Sequence, residues 1–226
     1  MKIKSNLLLY SCLSVFFQLS LMAANSQTPI LRWEKMANGV WKAKVGKPET
    51  NNLLSISESK PKTSAINEMS SVAFPLSPNE IKFEIFDGKT YLRFPLEKAE
   101  KIFGLGLNFK TVEQRGRILR LHEDHYDGVD NGRSHAPIPF YVSSKGYGVF
   151  INSSRYIDIW VGTGVRVDSK NPPVVRDRNT DRKWSAAPYS DNVEVLIPAE
   201  GVELYVFGGP STLDAVSRFN LYQGGG

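Results

Sequence analysis

From residue 40 onwards the chain consists of short runs in which apolar and polar residues alternate, separated by Gly, Pro, Asn and Ser. A two-residue period is that of β-strands, whose successive side chains point to opposite faces. The runs lie at 40–45, 53–57, 117–121, 138–142, 147–151, 156–161, 193–197 and 202–207. Strands at this spacing predict an all-β fold in which antiparallel sheets pack as a sandwich.

The stretch 81–94 predicts a β-hairpin together with its register. Two alternating runs flank Asp87-Gly88, a dipeptide that favours the two-residue turns between antiparallel strands. The predicted cross-strand pairs are Ile81 with Phe94, Lys82 with Arg93, Phe83 with Leu92, and Glu84 with Tyr91. The apolar pairs then share one face and the more polar pairs the other, so register and hydrophobicity agree.

One segment near the end of the sequence has a helical period. Ser211 and Asp214 are spaced as a capping box, and Leu213, Val216 and Phe219 would share one helical face. This pattern predicts a short C-terminal helix over 211–222. We expect its apolar face to need a partner surface, because soluble domains rarely leave large apolar patches exposed.

Residues 1–24 are typical of a cleaved secretory signal peptide. A basic start precedes an apolar run at 7–21 and the small pair Ala23-Ala24. The alternative, a membrane anchor, is less suitable because the run is shorter than the roughly 20 apolar residues that span a bilayer. We therefore expect a secreted, periplasmic or cell-surface protein that has no membrane span after cleavage.

Charge and cysteine content narrow the function classes further. The formal net charge of +5 falls to +3 when the signal is removed with Lys2 and Lys4, because the signal has no acidic residue. So small a charge does not indicate a nucleic-acid-binding protein. Cleavage also removes Cys12, the only cysteine, so core burial must stabilise the exported chain without disulfides.

All three histidines lie in one polar stretch, HEDHYDGVDNGRSH, at 122–135. His122 and His125 are one residue closer than the helical His-Glu-x-x-His zinc motif requires. The aspartates of the stretch recur every third residue instead of at the alternate positions of a calcium-binding loop. Gly104-Leu-Gly106 does not continue into a dinucleotide fingerprint and is instead typical of a strand glycine pair that permits a bulge or a close backbone approach. We therefore predict neither a metal nor a cofactor.

Six aromatic side chains in or beside the predicted strands are interpreted as core and not as sugar-binding surfaces. Alternate positions of a half-buried strand face inward, and large aromatic rings gain most from that burial. The six residues are Phe140, Tyr147, Phe150, Tyr156, Trp160 and Phe207.

Several blocks of sequence, taken in order, resemble the N-terminal β-sandwich domain of glycoside hydrolase family 31, which includes α-glucosidases and α-xylosidases. They are IFGLGL at 102–107, the polar stretch at 122–135, PIPFYVSSKGYGVF at 137–150, and YVFGGP at 205–210 before the predicted helix. The resemblance covers about residues 30–226, and the block at 137–150 is its most specific part.

This resemblance implies a galactose-mutarotase-like sandwich over 25–210. Residues 211–226 would be a helix and the start of a connection to a catalytic (β/α)8 barrel. In the family both catalytic aspartates lie on that barrel, whereas this sequence has no alternation of strands and helices. We therefore assign no catalytic residue and expect the isolated chain to hydrolyse no glycoside.

The resemblance also implies a role for the stretch 122–135. In the family a loop of the sandwich leans over the barrel mouth and helps to shape the sugar-binding pocket. Carboxylates, amides and guanidinium groups exchange hydrogen bonds with sugar hydroxyls, and an aromatic ring packs on a sugar face. The substrate-binding residues predicted in this way are Asp124, Tyr126, Asp127, Asp130, Asn131, Arg133 and His135.

The partners implied are an α-linked oligosaccharide or glycoside and the catalytic barrel of a retaining α-glycosidase. Two other functions remain open, namely a free-standing carbohydrate-binding module and a surface interaction domain without a ligand. In the last case the stretch 122–135 would be a solvated polar loop. A barrel-coding sequence directly downstream would distinguish the glycosidase domain from both alternatives.

Overall fold

The computed structural model describes residues 30–108, 111–123, 134–163 and 189–225. In these ranges the chain forms two antiparallel sheets and three helices. The strands are β1 (Glu34–Ala37), β2 (Val40–Gly46), β3 (Lys82–Phe86), β4 (Lys89–Pro95), β5 (Ile102–Gly104), β6 (Arg117–Leu121), β7 (Phe140–Ser143), β8 (Tyr147–Asn152), β9 (Ile157–Thr163), β10 (Tyr189–Ile197) and β11 (Gly201–Gly208). The helices are α1 (Leu53–Ile56), α2 (Thr63–Glu68) and α3 (Thr212–Tyr222). The all-β prediction with a short C-terminal helix is confirmed.

The two sheets differ in size and in strand order. The first sheet has the order β1, β2, β11, β8, β7, β5, and the second has the order β3, β4, β10, β9, β6. Neighbouring strands pair antiparallel in both. Consecutive strands β10 and β11 lie in different sheets, so the chain passes from one layer to the other between them.

A continuous apolar layer joins the inner faces of the two sheets. Leu92, Ile159 and Val195 from the second sheet are fully buried in one cluster with Val149 and Leu204 from the first. Each side chain of this kind contributes roughly 1.5–3 kcal/mol when it is removed from water. The predicted alternation along the strands is what places these side chains on the same face.

The 81–94 hairpin forms with the predicted turn and register. Asp87 and Gly88 have φ angles of 49° and 69°, the left-handed values that a type I′ turn requires at both positions. Three predicted pairs are present in the ladder: Lys82 with Arg93, Phe83 with Leu92, and Glu84 with Tyr91. The fourth pair would involve Ile81, which lies just before β3 and is fully buried.

The first sheet is apolar on its outer face as well. Every residue of β8 is buried, and a second cluster on the outer side contains Val40, Phe140, Phe150 and Phe207. Such a face has to be covered, and all three helices contribute side chains to the cluster, from Leu53 of α1 to Tyr222 of α3. The helices are therefore the third layer of the fold.

Helix α3 begins with the predicted capping box but packs through a different face. The Ser211 side chain accepts a hydrogen bond from the backbone N–H of Asp214, and the Asp214 carboxylate accepts one from the backbone N–H of Ser211. The expectation that Leu213 belongs to the packing face is wrong, because 75% of this residue is exposed. Ala215 is buried instead, and the Phe219 ring stacks on the ring of Phe140 with centroids 3.9 Å apart.

A buried arginine fixes α3 to the start of the first sheet. Arg218 is fully buried; its Nε donates to the carbonyl of Asn38 at 3.0 Å, and its Nη2 donates to the carbonyl of Ser70 at 2.6 Å. Burial lowers the pKa of this guanidinium, while the nearby Asp214 acts in the opposite direction. One side chain thus links the helix, the β1–β2 turn and the segment after α2.

The prediction of a strand at 53–57 is wrong, because this segment contains helix α1. Its N-terminus is fixed by Asn52, whose side chain accepts a hydrogen bond from the backbone N–H of Ser55 while the Ser55 hydroxyl accepts one from Asn52. The Leu54 N–H also donates to the Asn152 side chain on β8 at 3.1 Å. A capping box and a contact from a distant strand therefore outweigh the local alternation. Helix α2 was likewise not predicted.

The packing of α3 predicts unequal losses of stability for two apolar residues on the same helix. Phe219→Ala should destabilise the chain by about 2–4 kcal/mol, because it empties a site between the rings of Phe140 and Phe207. Leu213→Ala, on the exposed side, should change stability by less than about 0.5 kcal/mol. Urea unfolding followed by circular dichroism measures both, and a larger loss for Leu213→Ala would contradict this packing.

Candidate functional site

The polar stretch 122–135 lies in the chain between a strand of the second sheet and a strand of the first. It follows β6, an edge strand of the second sheet, and leads to β7, which lies beside the edge strand β5 of the first. Six of the seven predicted substrate-binding residues, Asp124, Tyr126, Asp127, Asp130, Asn131 and Arg133, lie outside the described residues. The seventh, His135, is half-buried. The structure thus describes the base of the loop, 122–123 and 134–136, which we call the stem.

The two sides of the stem lie next to each other. Glu123 and Ser134 form a β-bridge, and the backbone N–H of Ser134 faces the carbonyl of His122 at 3.4 Å. The His122 N–H in turn donates to the carbonyl of Arg120 on β6 at 2.7 Å. Main-chain groups therefore close the base of the loop and fix it to the end of a strand.

A tight turn after β5 supports the outgoing side of the stem. The Leu107 N–H donates to the carbonyl of Ala136 at 3.1 Å, and the Leu105 N–H donates to the carbonyl of Phe140 at 2.9 Å. Gly106 has a φ of 92°, and a Cβ atom added there would lie 2.2 Å from the Ala136 oxygen. Of the bulge and the close backbone approach predicted for the glycine pair, the close approach is present, and it occurs against Ala136, directly after the polar stretch.

Buried polar contacts hold β5 in place behind this turn. Glu100, just before β5, accepts hydrogen bonds from the Ser143 hydroxyl at the end of β7 and from the Tyr147 hydroxyl at the start of β8, the latter at 2.6 Å. Burial, followed by the charge of Glu100, raises the pKa of Tyr147 well above its usual value. The hydroxyl is therefore a permanent donor, and β5 is tied to the β7–β8 hairpin.

One aromatic side chain beside the stem was assigned wrongly to the core. Tyr156 is 66% exposed, and its ring stacks on the imidazole of His122 with centroids 4.0 Å apart and planes at 28°. It precedes β9, which begins at Ile157, so the inward alternation of that strand does not include it. The Ser-Ser-Arg turn signal directly before Tyr156 is the feature that could have indicated this position.

Of the other five aromatic residues assigned to the core, four are confirmed and Trp160 is not. Phe140, Tyr147, Phe150 and Phe207 are buried as predicted. Trp160 is only half-buried; it alternates on β9 with core residues and pairs across the ladders with Glu194 and Ile118. It therefore lies on the outer face of the second sheet.

Aliphatic side chains are exposed near the same edge. Leu107 is 52% exposed and Ile138 is 46% exposed; their segments are joined by the hydrogen bond from the Leu107 N–H to Ala136. Val112 is 78% exposed and precedes Glu113, which bridges to Phe103 on β5. We call Leu107, Val112 and Ile138 the aliphatic strip.

The described part of the chain contains no group of three or more His, Cys, Asp or Glu side chains placed to hold a metal ion. Among the helices of the same residues, none combines the length and the apolar character needed to cross a membrane.

The sequence and the fold were compared with known proteins. The model of the glycosyl hydrolase 31 N-terminal galactose mutarotase-like domain matches residues 39–159, which include most of both sheets and the whole polar stretch. Alpha-xylosidase XylQ of Lactiplantibacillus pentosus is 26% identical over 136 residues, or 59% of this chain. An alpha-xylosidase of Emericella nidulans is 35% identical over 65 residues, or 29% of this chain.

Among solved structures, a GH31 dextranase of Flavobacterium johnsoniae complexed with glucose superposes with a TM-score of 0.55. The superposition covers 88% of this chain at 13% sequence identity, so it shows the fold alone. In each case the chain spans a small part of its relative, 15% of the xylosidase XylQ, 8% of the Emericella enzyme and 26% of the dextranase.

The close approach at the turn after β5 predicts a large effect of one added methyl group. Gly106→Ala should destabilise the chain by about 2–3 kcal/mol more than Gly116→Ala, because both positions have positive φ but only Gly106 faces a carbonyl oxygen. Within the described part of the chain, no atom beyond its two chain neighbours lies within 4 Å of the equivalent position at Gly116. Chemical denaturation of both variants measures the difference, and equal losses would mean that the turn does not hold the stem.

Proposed function

The chain belongs to the N-terminal galactose mutarotase-like domains of glycosyl hydrolase family 31, and on that basis we propose that it is the non-catalytic sandwich of an exported retaining α-glycosidase. In this role its 122–135 loop helps to shape the sugar-binding pocket of a catalytic barrel. The observation that carries the proposal is the stem, in which main-chain contacts hold both sides of a polar loop at the edge between the sheets.

Rigid support suits a loop that has to reach into another domain's pocket. Loops carry binding residues effectively when a stiff scaffold positions them, since less conformational entropy is lost on binding. Here the turn at Gly106 packs against the backbone of Ala136. Glu100 accepts a hydrogen bond from Tyr147 and so holds the start of β5, the strand before that turn. The carboxylates, amide and guanidinium of 124–133 have the hydrogen-bonding groups that sugar hydroxyls need.

The aliphatic strip gives the proposed barrel a surface to pack against. Leu107, Val112 and Ile138 are exposed, and each belongs to the turn after β5 or to a segment whose backbone pairs with β5 or with that turn. Contact through this strip would bring the loop to the neighbouring domain at the same time. The known relatives contain most of their length outside the part that this chain matches, which is consistent with a large partner domain.

The substrate proposed is an α-linked oligosaccharide or glycoside. Two relatives are named as α-xylosidases, and two of the structural neighbours are a dextranase complexed with glucose and its variant complexed with isomaltotriose. Export of the protein is proposed from the signal-like residues 1–24, which lie outside the described residues.

The loop proposal predicts a selective loss of substrate binding. In a glycosidase that carries this chain in front of its catalytic domain, Asp127→Ala, Asp130→Ala and Asn131→Ala should raise KM, because an unpaired sugar hydroxyl costs roughly 1–3 kcal/mol. The melting temperature should stay the same. Steady-state kinetics on α-xylosides and α-glucosides and thermal melts decide the matter. Unchanged kinetics in all three variants, or a large loss of stability, would contradict a binding role.

The docking proposal predicts that the aliphatic strip can be altered without harm to the isolated domain. Val112→Glu should leave the melting temperature of the chain unchanged but abolish its association with a separately produced catalytic domain, because a charge would be buried in the contact. Ile85→Glu is the matched control; Ile85 is also exposed but lies at the β3–β4 hairpin of the other sheet. Co-elution in size-exclusion chromatography measures association, and equal behaviour of the two variants would exclude the strip.

A further inference from the structure

The stack of Tyr156 on His122 leaves one aromatic face open to solvent. The imidazole covers one side of the phenol ring, with ring centroids 4.0 Å apart and planes at 28°. Since Tyr156 is nevertheless 66% exposed, the exposure comes from its opposite face and its rim. A flat apolar surface backed by a second ring is therefore presented outward beside the stem.

The turn that carries this ring is held by side chains from a distant segment. Arg155 Nε donates to the Glu49 carboxylate at 2.9 Å, and the Ser154 hydroxyl donates to the carbonyl of Asn51 at 2.8 Å. Strand β9 begins immediately after the tyrosine. The backbone of Tyr156 is therefore fixed on both sides. The residue loses little conformational entropy when a ligand packs on its ring.

Folding alone gives little reason for an aromatic residue at this position. A side chain that stays two-thirds exposed gains only a small part of the burial energy of a core tyrosine. The residues directly before it, Ser154 and Arg155, are polar, and Arg155 forms an ion pair with Glu49. An exposed aromatic face that follows polar residues in the chain matches a ligand that has one apolar face and many hydroxyls.

We propose that Tyr156, backed by His122, is a stacking platform that binds one pyranose ring of an α-linked oligosaccharide on this chain alone. The C–H face of a pyranose would lie on the phenol ring. A protein partner fits less well, because stable protein interfaces cover roughly 800 Å² on each side and one exposed ring offers far less. The platform goes beyond the proposed pocket, since it needs no catalytic domain.

The test is a titration of the full chain with isomaltotriose and, separately, with maltotriose. Saturation-transfer NMR measures the binding. We expect weak, saturable binding of at least one trisaccharide. Tyr156→Ala should raise its Kd by about tenfold or more, whereas Tyr156→Phe should retain the wild-type value because the ring is kept. His122→Ala should weaken binding by a smaller factor, since the platform loses its backing. Phe86→Ala, which removes another exposed aromatic ring at the β3–β4 hairpin, should have no effect.

Two results would overturn the platform. One is the same Kd for wild type and Tyr156→Ala; the other is no binding of either trisaccharide by a chain whose thermal unfolding shows that it is folded. The exposed position of Tyr156 makes a folding defect in the variant unexpected, and its melting temperature checks this. Binding of a trisaccharide by the chain alone measures the platform, whereas the KM of a glycosidase that carries the chain measures the proposed pocket. The platform and the proposed pocket can therefore fail independently.

Discussion

The first sheet is apolar on both of its faces, and most of the architecture follows from that constraint. Its inner face joins the second sheet through Val149 and Leu204, and its outer face carries Phe140, Phe150 and Phe207. A sheet of this kind cannot leave either side in water, so the two sheets form a sandwich and the helices form a third layer. Arg218 is buried where this third layer meets the sheet, and its guanidinium donates to backbone carbonyls on two other segments.

The same packing places the candidate site. Glu100 ties β5 to the β7–β8 hairpin, the turn after β5 holds Ala136, and Ala136 ends the stem. The other side of the stem starts from β6 in the second sheet, where Glu123 bridges to Ser134. Each sheet thus supplies one side of the loop base. The core sets the relative position of the two sheets, and the sheets in turn set the positions of the two sides of the stem.

Sequence patterns predicted the features that depend on neighbouring residues. The register at Asp87-Gly88 and the capping box at Ser211 were readable because a turn type and a helix cap each need only a few adjacent side chains. Leu213 was misplaced because the outer sheet face, which is distant in sequence, decides which side of the helix packs. Tyr156 was misplaced because β9 begins one residue later than the alternation predicted. In the same way, the sequence gives the chemistry of the 122–135 loop, whereas the position of its stem depends on a turn at Gly106.

Because main-chain hydrogen bonds hold the stem, the position of the loop ends does not depend on which side chains the loop carries. Any residue type supplies the N–H of Ser134 and the carbonyls of His122 and Ala136 equally well, provided that it is not proline at the donor. Mutation can therefore replace the side chains between them without moving the ends. In evolution the side chains of the loop can therefore change while the core and the ends of the loop stay the same.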